Sequence, residues 1–170
     1  SQEDGSLMVR LQDEGLIESG TAIFLPATWG KDGSAFIEYS LTEKGENNKD
    51  KILFLTYEFI DLIKSNGIKK AYFDELASIN KIQFEDYQSP SALSQAVQFG
   101  QRIFDWPSEN LIDYAYVTSE FDADAIKNTL AQLTPERSRI YHIGPDEASD
   151  IELQYADGAY RVESFSAERL

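Results

Sequence analysis

Apolar residues recur along this chain at two different periods. Where the step is three or four a helix is expected, and where it is two a strand. Residues Leu7, Met8, Leu11, Leu16 and Ile17, set among charges, predict a short terminal helix broken near Gly15. Ala22 to Leu25 then form an apolar run that Pro26 stops, because proline cannot donate into a strand ladder. A second strand is expected over Ala35 to Thr42, and the segment Trp29 to Ser34 between them has the Gly and Asp-Gly content of a hairpin turn. These two strands are expected to pair.

Glu43 to Asp50 reads as a polar loop with no reason to be buried. Lys51 to Asn66 follows, with Ile52, Leu55, Phe59 and Leu62 at helical steps and Asn66-Gly67 as a stop, so a central helix is predicted. The competing reading is a strand over Lys51 to Tyr57 that runs into a short helix. Ile68 to Phe73 and Lys81 to Tyr87 show partial alternation and are read as strands around a turn near Ser78 to Asn80. Ser89-Pro90 opens a helix over Ser91 to Phe104, and Leu111 to Val117, LIDYAYV, alternates as a strand. Asp122 is placed to cap a helix over Ala123 to Leu133, with Asp124 in the first turn where the macrodipole favours negative charge. Arg139 to Ile143 reads as a strand and Gly144 to Asp150 as a loop. Ile151 to Phe165 reads as a hairpin around Asp157-Gly158, a strong turn signal between alternating runs.

These elements predict a single α+β domain over 1–170, a largely antiparallel sheet with two or three helices packed on one face. The chain has 170 residues, 42% apolar with ten Phe, nine Tyr and two Trp, enough to build a core without staples. No Cys is present, which excludes disulfides and thiolate chemistry. The opening Ser1 to Leu7 reads as a tag or processed terminus. With Met8 as the native start the protein is expected to be cytoplasmic, and with Ser1 as a mature terminus, exported.

Thirty acidic against fifteen basic residues give a net charge of -15. That field repels phosphate backbones and anionic lipid, so neither nucleic acid nor membrane is an expected ligand, and a basic protein partner is. The acidity concentrates in Asp105 to Asp124, where Asp105, Glu109, Asp113, Glu120, Asp122 and Asp124 meet no Lys or Arg and interleave with Trp106, Tyr114, Tyr116 and Phe121. Charge steers a partner and aromatic anchors hold it. Taking Asp122 and Asp124 as cap residues leaves Asp105, Trp106, Glu109, Tyr114, Tyr116 and Glu120 as the candidate recognition surface; the alternative reading makes the aromatics ordinary core.

Motifs for catalysis are absent: no phosphate-binding loop, no GxGxxG, no GxSxG and no HExxH occurs. No cofactor and no metal is expected, and Asp122 and Asp124 lack the following acceptors of a calcium loop. His142 is the sole histidine, with Asp146, Glu147 and Asp150 nearby in sequence. It reads as a strand histidine satisfied by a neighbour, with a general base in a carboxylate cluster as the alternative. In size, acidity and lack of catalytic motifs the chain resembles bacterial immunity proteins, a resemblance of overall profile. It implies a non-enzymatic inhibitor that occludes a basic toxin or enzyme. Two other classes stand beside it: a small carboxylate-dependent hydrolase using His142, and a structural component of a larger assembly. Oligomeric state is left open.

Overall fold

The structure, a computed structural model, describes residues 5–25, 33–104, 106–114, 116, 120–145 and 147–164. The α+β class holds, and strand pairing is antiparallel throughout the described residues. The chain is organised as two compact units, Ser1–Ser65 with Leu130–Leu170, and Asn66–Thr129.

In the first unit, helix α1 (Leu7–Asp13) is capped by Ser6, whose hydroxyl accepts from the Val9 amide. Gly15, at φ 67°, turns the chain into β1 (Ile17–Leu25). Strand β1 pairs with β2 (Ser34–Leu41) from Ile17 opposite Leu41 out to Leu25 opposite Ser34, with a register shift between Ile17 and Ser19. The predicted turn between them falls on 26–32, outside the described residues.

Helix α2 (Glu43–Glu46) and α3 (Lys49–Asn66) follow. The polar loop expected over Glu43 to Asp50 is therefore a short helix and the first turn of a long one. Two residues account for the difference. The Thr42 hydroxyl accepts from the Gly45 amide at 3.0 Å and donates to the Gly15 carbonyl at 2.7 Å, so it caps α2 and ties it to the α1–β1 turn. Gly45 lets α2 lie on the backbone of Leu16: a Cβ there would stand 1.8 Å from the Leu16 carbonyl oxygen. Helix α3 is continuous, which removes the strand alternative for Lys51 to Tyr57, and Gly67 ends it at φ 72°.

The core of this unit sits between α1, the start of β1 and α3. Leu7, Leu11, Leu16, Ile17, Ile52 and Leu55 are buried together, with Met8, Tyr39, Leu41 and Phe59 packed around them. Residues 139–143 are not part of any strand, so the strand expected over Arg139 to Ile143 is not formed. Of the hairpin expected over Ile151 to Phe165, a short core forms as β3 (Ile151–Glu152) and β4 (Ala159–Tyr160), closed through Gly158, and Phe165 lies outside the described residues.

In the second unit, α4 (Lys70–Glu85) occupies the ground expected for two strands. Tyr72, Leu76, Ile79 and Ile82 fall at steps of four, three and three, and no Gly or Pro breaks the run, so the helical period prevails over the partial alternation. Helix α5 (Ala92–Arg102) is capped by Ser91, and α6 (Ala123–Ala131) by Asp122, whose carboxylate accepts from the Asp124 and Ala125 amides at 3.0 and 2.9 Å. The strand expected over Leu111 to Val117 is instead a series of turns as far as it is described; Ala115 and Val117 lie outside the described residues. Rings hold this unit. Phe73 meets Phe121, and Tyr116 packs between Phe84 and Tyr87 at 5.6 and 6.0 Å.

Candidate functional site

The predicted recognition surface divides when its residues are placed. Tyr116 is half-buried in the Phe84–Tyr87 ring cluster, and Tyr114 is clamped between Trp106, edge-on at 5.8 Å, and the Arg102 guanidinium, 3.4 Å from the ring centre. Glu109 and Glu120 are exposed, and Asp105 lies outside the described residues. The two tyrosines thus spend their faces on internal packing, and Trp106, 39% exposed, keeps part of its ring free. Asp113 accepts from the Asn110 side chain at 3.3 Å within the turn.

The densest grouping of chemistry-bearing side chains is elsewhere, in the first unit. His142 Nε2 lies 3.0 Å from Glu46 Oε2, and His142 Nδ1 lies 2.9 Å from Glu147 Oε1. The Lys49 ammonium reaches both carboxylates, at 2.8 Å from Glu46 and 3.3 Å from Glu147, and stands 3.4 Å from His142 Nδ1. Local structure explains the convergence: Glu46 ends α2 and Lys49 begins α3, one turn apart at the corner that Thr42 and Gly45 fix. A shallow hollow of about 280 Å³, lined by Glu46 to Lys51, opens beside them.

The charges are mutually supporting. Lys49, and after it His142, hold the Glu46 carboxyl below its ordinary value. Glu147 is held low the same way, by Lys49 first and His142 second. Glu46, then Glu147, push Lys49 up against the opposing effect of desolvation. Removing any one of the four therefore leaves an imbalance.

Ligand atoms of Glu46, His142 and Glu147 all lie within 4.8 Å of one another. The arrangement nonetheless does not suit a metal ion. The carboxylates address the two different nitrogens of one ring, of which a metal can take only one, and the Lys49 ammonium already bridges them. Both ring nitrogens of His142 are engaged by carboxylates, so neither is directed at open space in this arrangement. Of this cluster only Glu147 was within sight of the sequence pattern around His142. Asp150 offers its backbone amide to the Tyr160 carbonyl, and Asp146 lies outside the described residues. Glu46 and Lys49 stand 96 and 93 residues from the histidine, and no spacing signal joins them.

Comparison with known proteins bears on the whole chain. Residues 83–170 match the family model described as the middle or third domain of peptidase M16. Protease 3 of Escherichia coli (strain K12) is 31% identical over 168 residues, covering 99% of this chain and 18% of that protein. Insulin-degrading enzyme of Drosophila melanogaster is 28% identical over 119 residues, covering 69% of this chain and 12% of that one. Among solved structures, that of pitrilysin superposes with a TM-score of 0.94 at 31% identity over 99% of this chain and 18% of its own. The chain thus spans under a fifth of the length of such relatives.

These findings overturn the expectation of an immunity-type inhibitor that occludes a basic toxin. Acidity and missing motifs suggested it, and both are properties that a small binding protein shares with one domain cut from a large enzyme. Neither feature separates the two.

Proposed function

The chain belongs to the family of middle or third domains of M16 peptidases, and from that premise we propose that it acts as one domain of a larger peptidase. On this reading it supplies framework for peptide hydrolysis, and the bond-breaking groups come from outside its 170 residues. With a single histidine and no cysteine it carries neither a two-histidine metal motif nor a thiol nucleophile.

One observation carries the reading: the end of the β1–β2 hairpin away from the core, Ile23 to Leu25 with Phe36 and Ile37, is apolar and exposed on both faces. By the strand register, Ile23, Leu25 and Phe36 share one face and Phe24 and Ile37 the other. Their exposures run from 40% at Ile37 to 60% at Phe24. Strands apolar on both sides belong in a sheet buried on both sides, and an isolated two-stranded ribbon is marginal in water. Among the described residues no further strand pairs with β1 or β2. The hairpin is thus built to be extended and enclosed by more protein, and a chain spanning 18% of its relatives leaves ample sequence to do so. Peptide hydrolysis by the chain alone, against hydrolysis with the remainder of the peptidase supplied in trans, tests the proposal.

A further inference from the structure

The His142 cluster has a protonation requirement written into its geometry. Each ring nitrogen faces a carboxylate oxygen, Nε2 at 3.0 Å and Nδ1 at 2.9 Å. A carboxylate only accepts, so both contacts are hydrogen bonds at once only when both nitrogens carry protons. With imidazolium and Lys49 the two positive charges balance the two carboxylates; with neutral imidazole one negative charge is left over and one nitrogen lone pair confronts a carboxylate.

Lys49 decides which contact gives way. Its ammonium lies 3.4 Å from Nδ1, and no described cation stands beside Nε2. The neutral ring therefore keeps its proton on Nε2, still donating to Glu46, and turns Nδ1 into an acceptor for Lys49. Glu147 is the partner that loses its hydrogen bond from the ring. It keeps only the longer of the two Lys49 contacts, 3.3 Å against 2.8 Å for Glu46.

We propose that Glu46, Lys49, His142 and Glu147 form a proton-dependent clasp that holds Glu147 to the α2–α3 corner when His142 is charged and releases it when the ring is neutral. The charged groups facing the ring are Glu46 from α2, Lys49 from α3 and Glu147 from its own loop, among the described residues. Apolar burial offers the segment little alternative anchorage, since Tyr141 and Ile143 are 75% and 93% exposed. The neighbouring side-chain packing is equally sparse: among the described residues, Gly144 has only the Glu147 and His142 side chains around its missing Cβ. Opening this loop frees the segment leading into β3 without disturbing the core packed on α3.

The sole histidine makes the test clean. Nitrogen-15 signals of the His142 ring and amide exchange of residues 144–150, corrected for the intrinsic pH dependence of exchange, are recorded in the full chain below about pH 5 and above about pH 8, the limits within which histidines change charge. The expected result has both ring nitrogens protonated at the lower pH. At the higher pH Nε2 alone is protonated and protection of the loop amides falls severalfold. Glu147→Gln, exposed enough to leave the fold intact, is expected to abolish that change in protection. A ring protonated on Nδ1 at high pH, or loop protection that does not follow the ring's charge, overturns the proposal.

Discussion

Tyr39 on β2 and Thr56 on α3 share a hydrogen bond of 2.8 Å whose direction the structure fixes. The Thr56 hydroxyl donates to the Ile52 carbonyl at 2.7 Å, so its single proton is committed and Tyr39 must be the donor. This bond is the polar stitch between the hairpin and the long helix at the edge of the apolar core. Tyr39→Phe removes it and is expected to cost about 1 kcal/mol in urea unfolding. Thr56→Val strands the tyrosine hydroxyl and is expected to cost as much or more. Burial pushes the Tyr39 hydroxyl above its ordinary 10.0. A raised value means that the stabilisation is complete below about 10 and is lost as pH rises through the folded value. In Tyr39→Phe that alkaline loss is expected to shrink.

Gly45 is where α2 touches the β1 backbone, and there the prediction is steric. Gly45→Ala places a methyl on the Leu16 carbonyl, which the Thr42 amide also holds at 3.2 Å and which cannot swing aside freely. A loss of roughly 3 kcal/mol or more is expected. Gly100→Ala is the control, because among the described residues nothing lies within 4 Å of its Cβ position and it sits within α5. That substitution is expected to be neutral or to gain up to about 1 kcal/mol from helix propensity. Thermal melts of the two variants check the contrast.

Acid should loosen the His142 cluster by a route separate from the histidine. Glu46 and Glu147 both have carboxyls depressed below 4.5 in the folded chain. Depressed acids stabilise above their unfolded value and lose that contribution as pH falls through the folded one. Stability measured from pH 7 downward is therefore expected to drop below about pH 4.5, and the drop is expected to be shallower in Glu46→Gln. Identical acid profiles in the two proteins would contradict the charge coupling at the α2–α3 corner.

Much of the architecture was readable because local chemistry and global packing agreed. Helix α3 declared itself through Ile52, Leu55 and Phe59, the C-terminal hairpin through Asp157-Gly158, and α6 through the Asp122 cap. Helix α4 was hidden because Ile82 and Phe84 sit two apart, so apolar positions fit a strand template as well as a helical one. Leu111 to Val117 alternates, yet its described residues form turns, since alternation supplies a face and a ladder needs a partner. Of the His142 cluster, only the Glu147 side was local; Glu46 and Lys49 arrive by tertiary folding that no spacing announces. The inhibitor reading rested on acidity and missing motifs, and the uncovered hairpin carries no such sequence signal. Exposed Phe24 and Phe36 look like core in a sequence, and only the structure leaves them uncovered.

Peptide hydrolysis is the most direct test of the central claim. A quenched fluorescent peptide is incubated with the 170-residue chain alone, with the remainder of the peptidase alone, and with both. The account predicts no cleavage by the chain, cleavage when both are present, and loss of that cleavage when Phe24→Glu and Phe36→Glu charge both faces of the hairpin. Cleavage by the isolated chain, or full activity of the remainder without it, would contradict the account.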